Sequence, residues 1–247
     1  MKSYFALNRR TTLWECLFIL GAWSAMGAES GKWSSELSGR EVIFAPTGAF
    51  EVRRQDQPVL TGELGYYGHG WSYCGQRESA GVALEISPNG EHSYKGAFGG
   101  INTPAEFSQE VMIEKSRMHF RYELRLKKSL VLEQPPLVLL KLFLGTNQTG
   151  AIQIGDQTIS LPAHGEYGWG STVAFTPGEL VVELAKPVSA SIWDNSKWHD
   201  EGFSLRLPLS ATDELQNSGP ETERKFTAAF DLFFEQRPLK AEAKKAT

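Results

Sequence analysis

Phe120-Arg121-Tyr122-Glu123-Leu124-Arg125-Leu126-Lys127 decides the fold, because apolar and charged side chains alternate along it without a break. A period of two puts successive side chains on opposite faces of an extended chain, one toward a core and one toward water. A helix would scatter these same residues around its whole circumference. Phe203-Ser204-Leu205-Arg206-Leu207 repeats the pattern, as does Phe226-Thr227-Ala228-Ala229-Phe230-Asp231-Leu232 running on to Phe234. Leu137-Val138-Leu139-Leu140 and Leu142-Phe143-Leu144 are apolar on both faces, which predicts a central strand covered on each side. Lys141 interrupts that run and needs either a partner or a route to water.

Turn residues separate these runs at short intervals. Pro88-Asn89-Gly90, Gly145-Thr146-Asn147, Gly155-Asp156 and Pro177-Gly178 each stand between strand-like segments. Gly155-Asp156 predicts a tight hairpin between Ala151-Ile152-Gln153-Ile154 and Thr158-Ile159-Ser160-Leu161. No helical stripe of a dozen residues follows the N-terminal segment. About a dozen or more strands in one chain predict an all-β protein, a single large antiparallel β-sandwich. Both a jelly roll and a supersandwich of the galactose-mutarotase type fit that reading. Residues 210–224 read as a long polar loop, and no internal repeat is present.

The N-terminal segment has a different character. Lys2, Arg9 and Arg10 precede the apolar run Leu17-Phe18-Ile19-Leu20-Gly21-Ala22-Trp23, and the small residues of Ala25-Met26-Gly27-Ala28 follow. That order is the pattern of a signal peptide covering 1–28, with an apolar stretch too short for a membrane anchor. The expected division is therefore a cleaved signal at 1–28, a sandwich at 29–239 and a frayed tail at 240–247. The predicted location is secreted or periplasmic.

Charge and cysteine content narrow the function classes. The chain carries 25 Lys+Arg against 29 Asp+Glu, and removing 1–28 takes Lys2, Arg9 and Arg10 but only Glu15, leaving the remainder more acidic. A mildly acidic surface argues against nucleic acid as a partner. Without Cys16 only Cys74 remains, so no internal disulfide forms and the core must supply the stability. Cys74 reads as a small buried hydrophobe, not a nucleophile, since no base is paired with it in sequence. Asn147-Gln148-Thr149 is a glycosylation sequon on a turn.

Three segments break the alternation with aromatic residues. They are Gly65-Tyr66-Tyr67-Gly68-His69-Gly70-Trp71-Ser72-Tyr73-Cys74-Gly75, His164-Gly165-Glu166-Tyr167-Gly168-Trp169-Gly170 and Ile192-Trp193-Asp194-Asn195-Ser196-Lys197-Trp198-His199-Asp200-Glu201. Sugar rings present flat C–H faces that stack on Trp and Tyr, and their hydroxyls need short polar partners at the rim. The expected ligand-binding residues are Tyr66, Tyr67, His69, Trp71, Tyr167, Trp169, Asp194, Trp198 and His199. Trp33 and Trp193 read as packing residues, whereas Trp71, Trp169 and Trp198, flanked by glycine or charge, read as exposed. The general character is similar to non-catalytic carbohydrate-binding domains.

Two rival readings stand beside this one. An enzyme acting on polysaccharide, hydrolase or lyase, would draw on Glu166, Asp194, Asp200 or Glu201 as acid and Tyr67, His69, His164 or His199 as base. No acidic spacing along a strand marks a catalytic pair, so no catalytic residue is assigned and binding is favoured over catalysis. The other rival is a structural or envelope protein without a small ligand. No cofactor motif and no metal-ligand spacing is present. Asp194, Asn195, Asp200 and Glu201 carry the hard oxygens that a structural calcium ion uses.

Overall fold

The structure is a computed structural model that describes residues 32–98, 105–127, 130–143, 150–176, 180–198, 200–211 and 223–234. The signal at 1–28, the turns at 145–147 and 177–178, the sequon at 147–149, most of the 210–224 loop, the tail at 240–247 and His199 lie outside these residues.

Trp33–Leu37 (β1), Arg40–Phe44 (β2), Phe50–Arg54 (β3), Gln57–Tyr67 (β4), Tyr73–Gly75 (β5) and Ala80–Ile86 (β6) lead the chain. His92–Ala97 (β7), Ala105–Glu114 (β8), Arg117–Lys127 (β9), Leu137–Leu142 (β10), Gly150–Ile154 (β11) and Gln157–Leu161 (β12) follow. Glu166–Thr176 (β13), Leu180–Asp194 (β14), Phe203–Pro208 (β15), Ser210–Ala211 (β16) and Glu223–Phe234 (β17) complete it. Every pairing among them is antiparallel, and the described residues contain short 3₁₀ turns but no α-helix. The protein is an all-β antiparallel sandwich.

Two layers emerge from the pairings. In the first, the order is β1-β2-β3-β4-β10-β15-β14-β13. In the second it is β12-β11-β13-β14-β17-β9-β8-β7-β6. Strands β13 and β14 belong to both. Their pairing shifts register between Gly170 and Thr172, so Glu166–Gly170 serves the first layer and Thr172–Ala174 the second. An irregularity of this kind bends a strand and lets it change sheets.

The quoted stretch at 120–127 becomes β9, in the middle of the second layer. Phe120, Tyr122, Leu124 and Leu126 are buried while Arg121 and Arg125 are exposed, as the alternation requires. Its neighbours match it in phase: Val111↔Phe120↔Phe230 and Phe107↔Leu124↔Phe226 run across three strands. The layers meet through rings, with Phe50 stacked on Phe120 at 4.9 Å and Phe44 tilted against it at 6.5 Å, while Phe230 stacks on Phe120 within the second layer at 5.1 Å. Burying each such side chain contributes roughly 1.5–3 kcal/mol of transfer free energy. Trp33 packs as expected, stacked on Phe44 at 4.3 Å.

A buried polar link accompanies the rings. Gln76 accepts from the Leu64 amide and donates to the Thr47 carbonyl and to Gln109, whose own amide donates to the Gly48 carbonyl. Gln109 lies on β8 and Leu64 on β4, so this network joins the layers. Each of these side-chain amide groups has a partner, which is the condition for burying it without penalty.

The hairpin at Gly155-Asp156 forms with Ile154 opposite Gln157. Strand β10 departs from expectation on one face. It is central, between β4 and β15, and Val138, Leu140 and Leu142 are in the core. Its other face is not covered by a further layer. Leu139 is half-buried there, in register with Glu63 and Arg206 on the neighbouring strands. Lys141 finds a partner: Nζ is 2.6 Å from Asp200 Oδ1.

Candidate functional site

The outer face of the first layer collects the aromatic segments. Leu60, Leu64 and Tyr66 of β4 point into the core, so Glu63 and Tyr67 point out. On β15, Phe203, Leu205 and Leu207 are buried, leaving Ser204 and Arg206 on the outer side. On β14, Ala190 and Ile192 are buried, leaving Ser189, Ser191 and Trp193. Arg206, Ser191 and Tyr167 are register partners in one row. Trp193 occupies the row on one side of it, and Trp169, opposite Ser189, the row on the other.

Gly168 keeps Tyr167 and Trp169 outward. A Cβ at Gly168 would sit 2.5 Å from Ile154 Cβ in the core, so only glycine lets β13 lie this close. Tyr167 and Trp169 flank it, 55% and 51% exposed.

Trp71 is held by the turn after β4. The Gly68 amide donates to the Ser72 carbonyl, the Trp71 amide to the Gly68 carbonyl, and the Gly70 amide to Glu133 Oε1 at 3.0 Å. Gly70 (φ +70°) accepts the left-handed backbone this requires, but Trp71 (φ +62°) adopts it as well. A bulky residue in that region costs about 1–2 kcal/mol, and such strain concentrates at functional positions. Trp71 is 59% exposed, with its ring centroid 6.0 Å from that of Tyr67.

A second ring cluster forms where β14 ends. His164 lies 4.9 Å from Trp193 and 5.1 Å from Trp198, and the two indoles are 5.9 Å apart. Gly165 (φ +78°) turns the chain across the Trp193 face, where an added Cβ would stand 3.5 Å from the ring. The turn carrying Trp198 hangs on buried Asn195. Its amide donates to the Gly202 carbonyl, its side chain donates to the Glu201 carbonyl, and its Oδ1 accepts from Ser204 Oγ at 2.7 Å. Gly202 is irreplaceable in this geometry, since a Cβ would lie 2.1 Å from the Leu142 carbonyl oxygen.

Arg206 joins the two clusters. Its guanidinium carbon is 5.4 Å from the Tyr67 ring centroid and 4.4 Å from that of Trp193, within cation–π range of both. Trp71, Tyr67, Arg206, Trp193 and Trp198 thus follow one another across a single face, each in contact with the next.

The expected site residues divide accordingly. Tyr67, Trp71, Tyr167, Trp169 and Trp198 lie on or beside this face, and His69 is exposed at its rim near Glu133. Asp194 plays an internal part, its Oδ1 accepting the Ser196 amide at 2.9 Å. Tyr66 is corrected: only 3% exposed, it packs edge-on against Phe98 and offers nothing to a ligand. Burial, with Cys74 beside it, pushes its phenol up. Trp193 is corrected in the other direction, since its indole belongs to the exposed-face cluster and its Nε1 donates to Ser191 Oγ. Arg206 links the rings although it was not expected there, and His164, read as a candidate base, packs between Trp193 and Trp198. Alternation with Ser204 marks Arg206 as outward, but nothing local shows what it meets. Cys74 is half-buried and packs against the core.

Asp200 and Glu63 are engaged inside the protein, whereas Glu166 and Glu201 are exposed. Asp200 pairs with Lys141, which pulls its carboxyl down. Glu63 Oε2 accepts the Arg77 amide at 3.1 Å and stands 3.9 Å from Arg77 Nε, with the buried Tyr73 hydroxyl alongside but outside hydrogen-bonding geometry. Burial pushes the Glu63 carboxyl up against those contacts. Three of the four residues read as calcium donors direct oxygens at protein partners, Asp194 at Ser196, Asn195 at Ser204 and Asp200 at Lys141, and the fourth, Glu201, is exposed. Among the described residues no three of His, Cys, Asp and Glu gather as a metal site.

No protein-family profile matches the sequence, and no curated protein matches it. Among solved structures, that of a galactose mutarotase related enzyme from Lactobacillus acidophilus aligns with 86% of this chain and 100% of its own, at 10% identity and a TM-score of 0.44.

Proposed function

We propose that the protein binds glycans on the outer face of the first layer, without catalysis. The observation that carries this reading is the unbroken series Trp71–Tyr67–Arg206–Trp193–Trp198, in which segments far apart in sequence meet on one wettable surface. Trp71 and Trp198 are more than half exposed. Exposed indoles fixed by turns are platforms for sugar C–H faces, and their fixed orientation lowers the entropy lost on binding. Tyr167 and Trp169 extend the platform in adjacent rows, and His69 and Ser189 supply rim polarity. The leader pattern at 1–28 adds that this binding takes place outside the cytoplasm.

Affinity electrophoresis through polysaccharide-containing gels tests the reading. The parent protein is expected to be retarded by at least one polymer, and Trp71→Ala, Trp169→Ala and Trp198→Ala combined are expected to abolish retardation while leaving the melting temperature close to the parent's. Retardation that survives the triple change sinks the proposal. Expression in an exporting host followed by N-terminal sequencing tests the location, with Glu29 expected as the first residue.

A further inference from the structure

We infer that the glycan is anionic and that Arg206 reads its charge, an inference that rests on the glycan-binding reading above. Several other cations are matched inside the protein: Arg53 with Glu51, Arg77 with Glu63, Arg121 with Glu110, Arg125 with Glu123 and, on the adjacent β10, Lys141 with Asp200. Arg206 is different. Among the described residues its side chain makes no ion pair and no hydrogen bond, and its Nε is buried without a partner. Among the described residues the Tyr67 and Trp193 rings lie within cation–π range of it.

The geometry limits what can complete it. Two rings flank the guanidinium and Nε is sealed, so the terminal edge with Nη1 and Nη2 is what a ligand meets. That edge offers parallel N–H donors at the spacing of two oxygens of a carboxylate or a sulfate ester. Nearby carboxylates are committed elsewhere, Glu63 to Arg77, Asp200 to Lys141 and Asp194 to the Ser196 amide. A rigid, partly desolvated cation without a counter-ion gains more from an incoming anion than a solvated one does. The flanking aromatics are placed to hold the sugar rings on either side of that anion. The chemistry is that of a uronate or a sulfated sugar.

The test uses polygalacturonate, its fully methyl-esterified form, dextran sulfate and unmodified dextran. The parent protein is expected to bind polygalacturonate or dextran sulfate at least about tenfold more tightly than the uncharged counterpart, with a preference that shrinks as salt rises. Binding to one charged polymer and not the other says whether carboxylate or sulfate is the anion, and either supports the inference. Arg206→Gln is expected to erase the preference, whereas Arg121→Gln, which removes the same charge from the opposite outer face, leaves it intact. Arg206→Lys keeps the charge without the planar fork and is expected to retain a reduced preference, which covers the case of Arg206→Gln folding poorly. Equal affinity for charged and uncharged polymers, or a preference that survives Arg206→Gln, overturns the inference while the glycan reading stands. Absence of binding to all four polymers overturns this inference, and failure across a wider panel would remove the glycan reading too.

Discussion

The outer faces of the two layers are built by the same alternation and filled in opposite ways. On the second layer, Arg121 faces Glu110, Glu123 lies between Arg125 and Lys225, and Asp231 accepts from Arg117 and His119. Charge answers charge across adjacent strands, and the ladder is closed within the protein. On the first layer the equivalent positions hold Tyr67, Arg206, Trp193, Tyr167 and Trp169, with the one cation among them unanswered. A face whose interactions are satisfied internally stabilises its own sheet. One that displays rings and an open charge is arranged for something else. The difference predicts that breaking a charge pair on the second layer's face leaves binding unchanged, whereas removing the exposed rings or Arg206 from the first layer's face weakens it.

The strongest way to break this contrast is to move the backbone beneath the aromatic face. Gly202→Ala forces a Cβ into the Leu142 carbonyl and strains a left-handed residue, and is expected to destabilise by about 3 kcal/mol or more. Chemical denaturation measures it. Asn195→Ala removes the hub of the Trp198 turn and is expected to cost about 2 kcal/mol through partners left unsatisfied, with glycan retardation weakened in the same sample. Trp71→Gly separates the two properties. Relief of the left-handed strain, offset by the flexibility of glycine, leaves stability between unchanged and about 1 kcal/mol higher, while retardation falls.

A pH series sharpens the comparison further. Folding raises the Glu63 carboxyl above its unfolded value, so the native state holds that proton more tightly and ionisation works against folding. The handicap is absent below the unfolded value of about 4.3 and grows as pH rises through the folded one. Glu63→Gln removes it, so the melting-temperature difference in favour of the variant is expected to widen from pH 4 toward neutrality. The smallest effect belongs to the second layer: Arg121→Gln breaks one exposed pair and is expected to shift stability by no more than about 0.5 kcal/mol, with no change in glycan binding.

Much of this was legible in sequence because period-two alternation is local. Residues 120–127 carried enough of it to place β9 and the phase of its neighbours. The same logic, followed further, separates Tyr66 from Tyr67: Leu60 and Leu64 set the phase of β4, so the even-numbered tyrosine goes inside. Treating the segment as a break in the alternation discards that phase. Trp193 has the same lesson in reverse, being in phase with Ser189 and Ser191, not with Ala190 and Ile192. What no local pattern contains is the meeting of Tyr67, Arg206 and Trp193. That depends on β10 lying between β4 and β15, a pairing fixed by the whole core and not by any one strand.

The position of β17 has a consequence for how the chain acquires its shape. The last strand among the described residues, Glu223–Phe234, is seated between β9 and β14 in the interior of the second layer. Until it arrives, both neighbours present open hydrogen-bonding edges and Phe120 lacks the ring of Phe230 against it. Residues as far as Phe234 must therefore be synthesised before the second layer can close over β9 and β14, and its closure is a long-range event. A chain cut short before residue 223 is expected to aggregate through those edges instead of persisting as a smaller native protein.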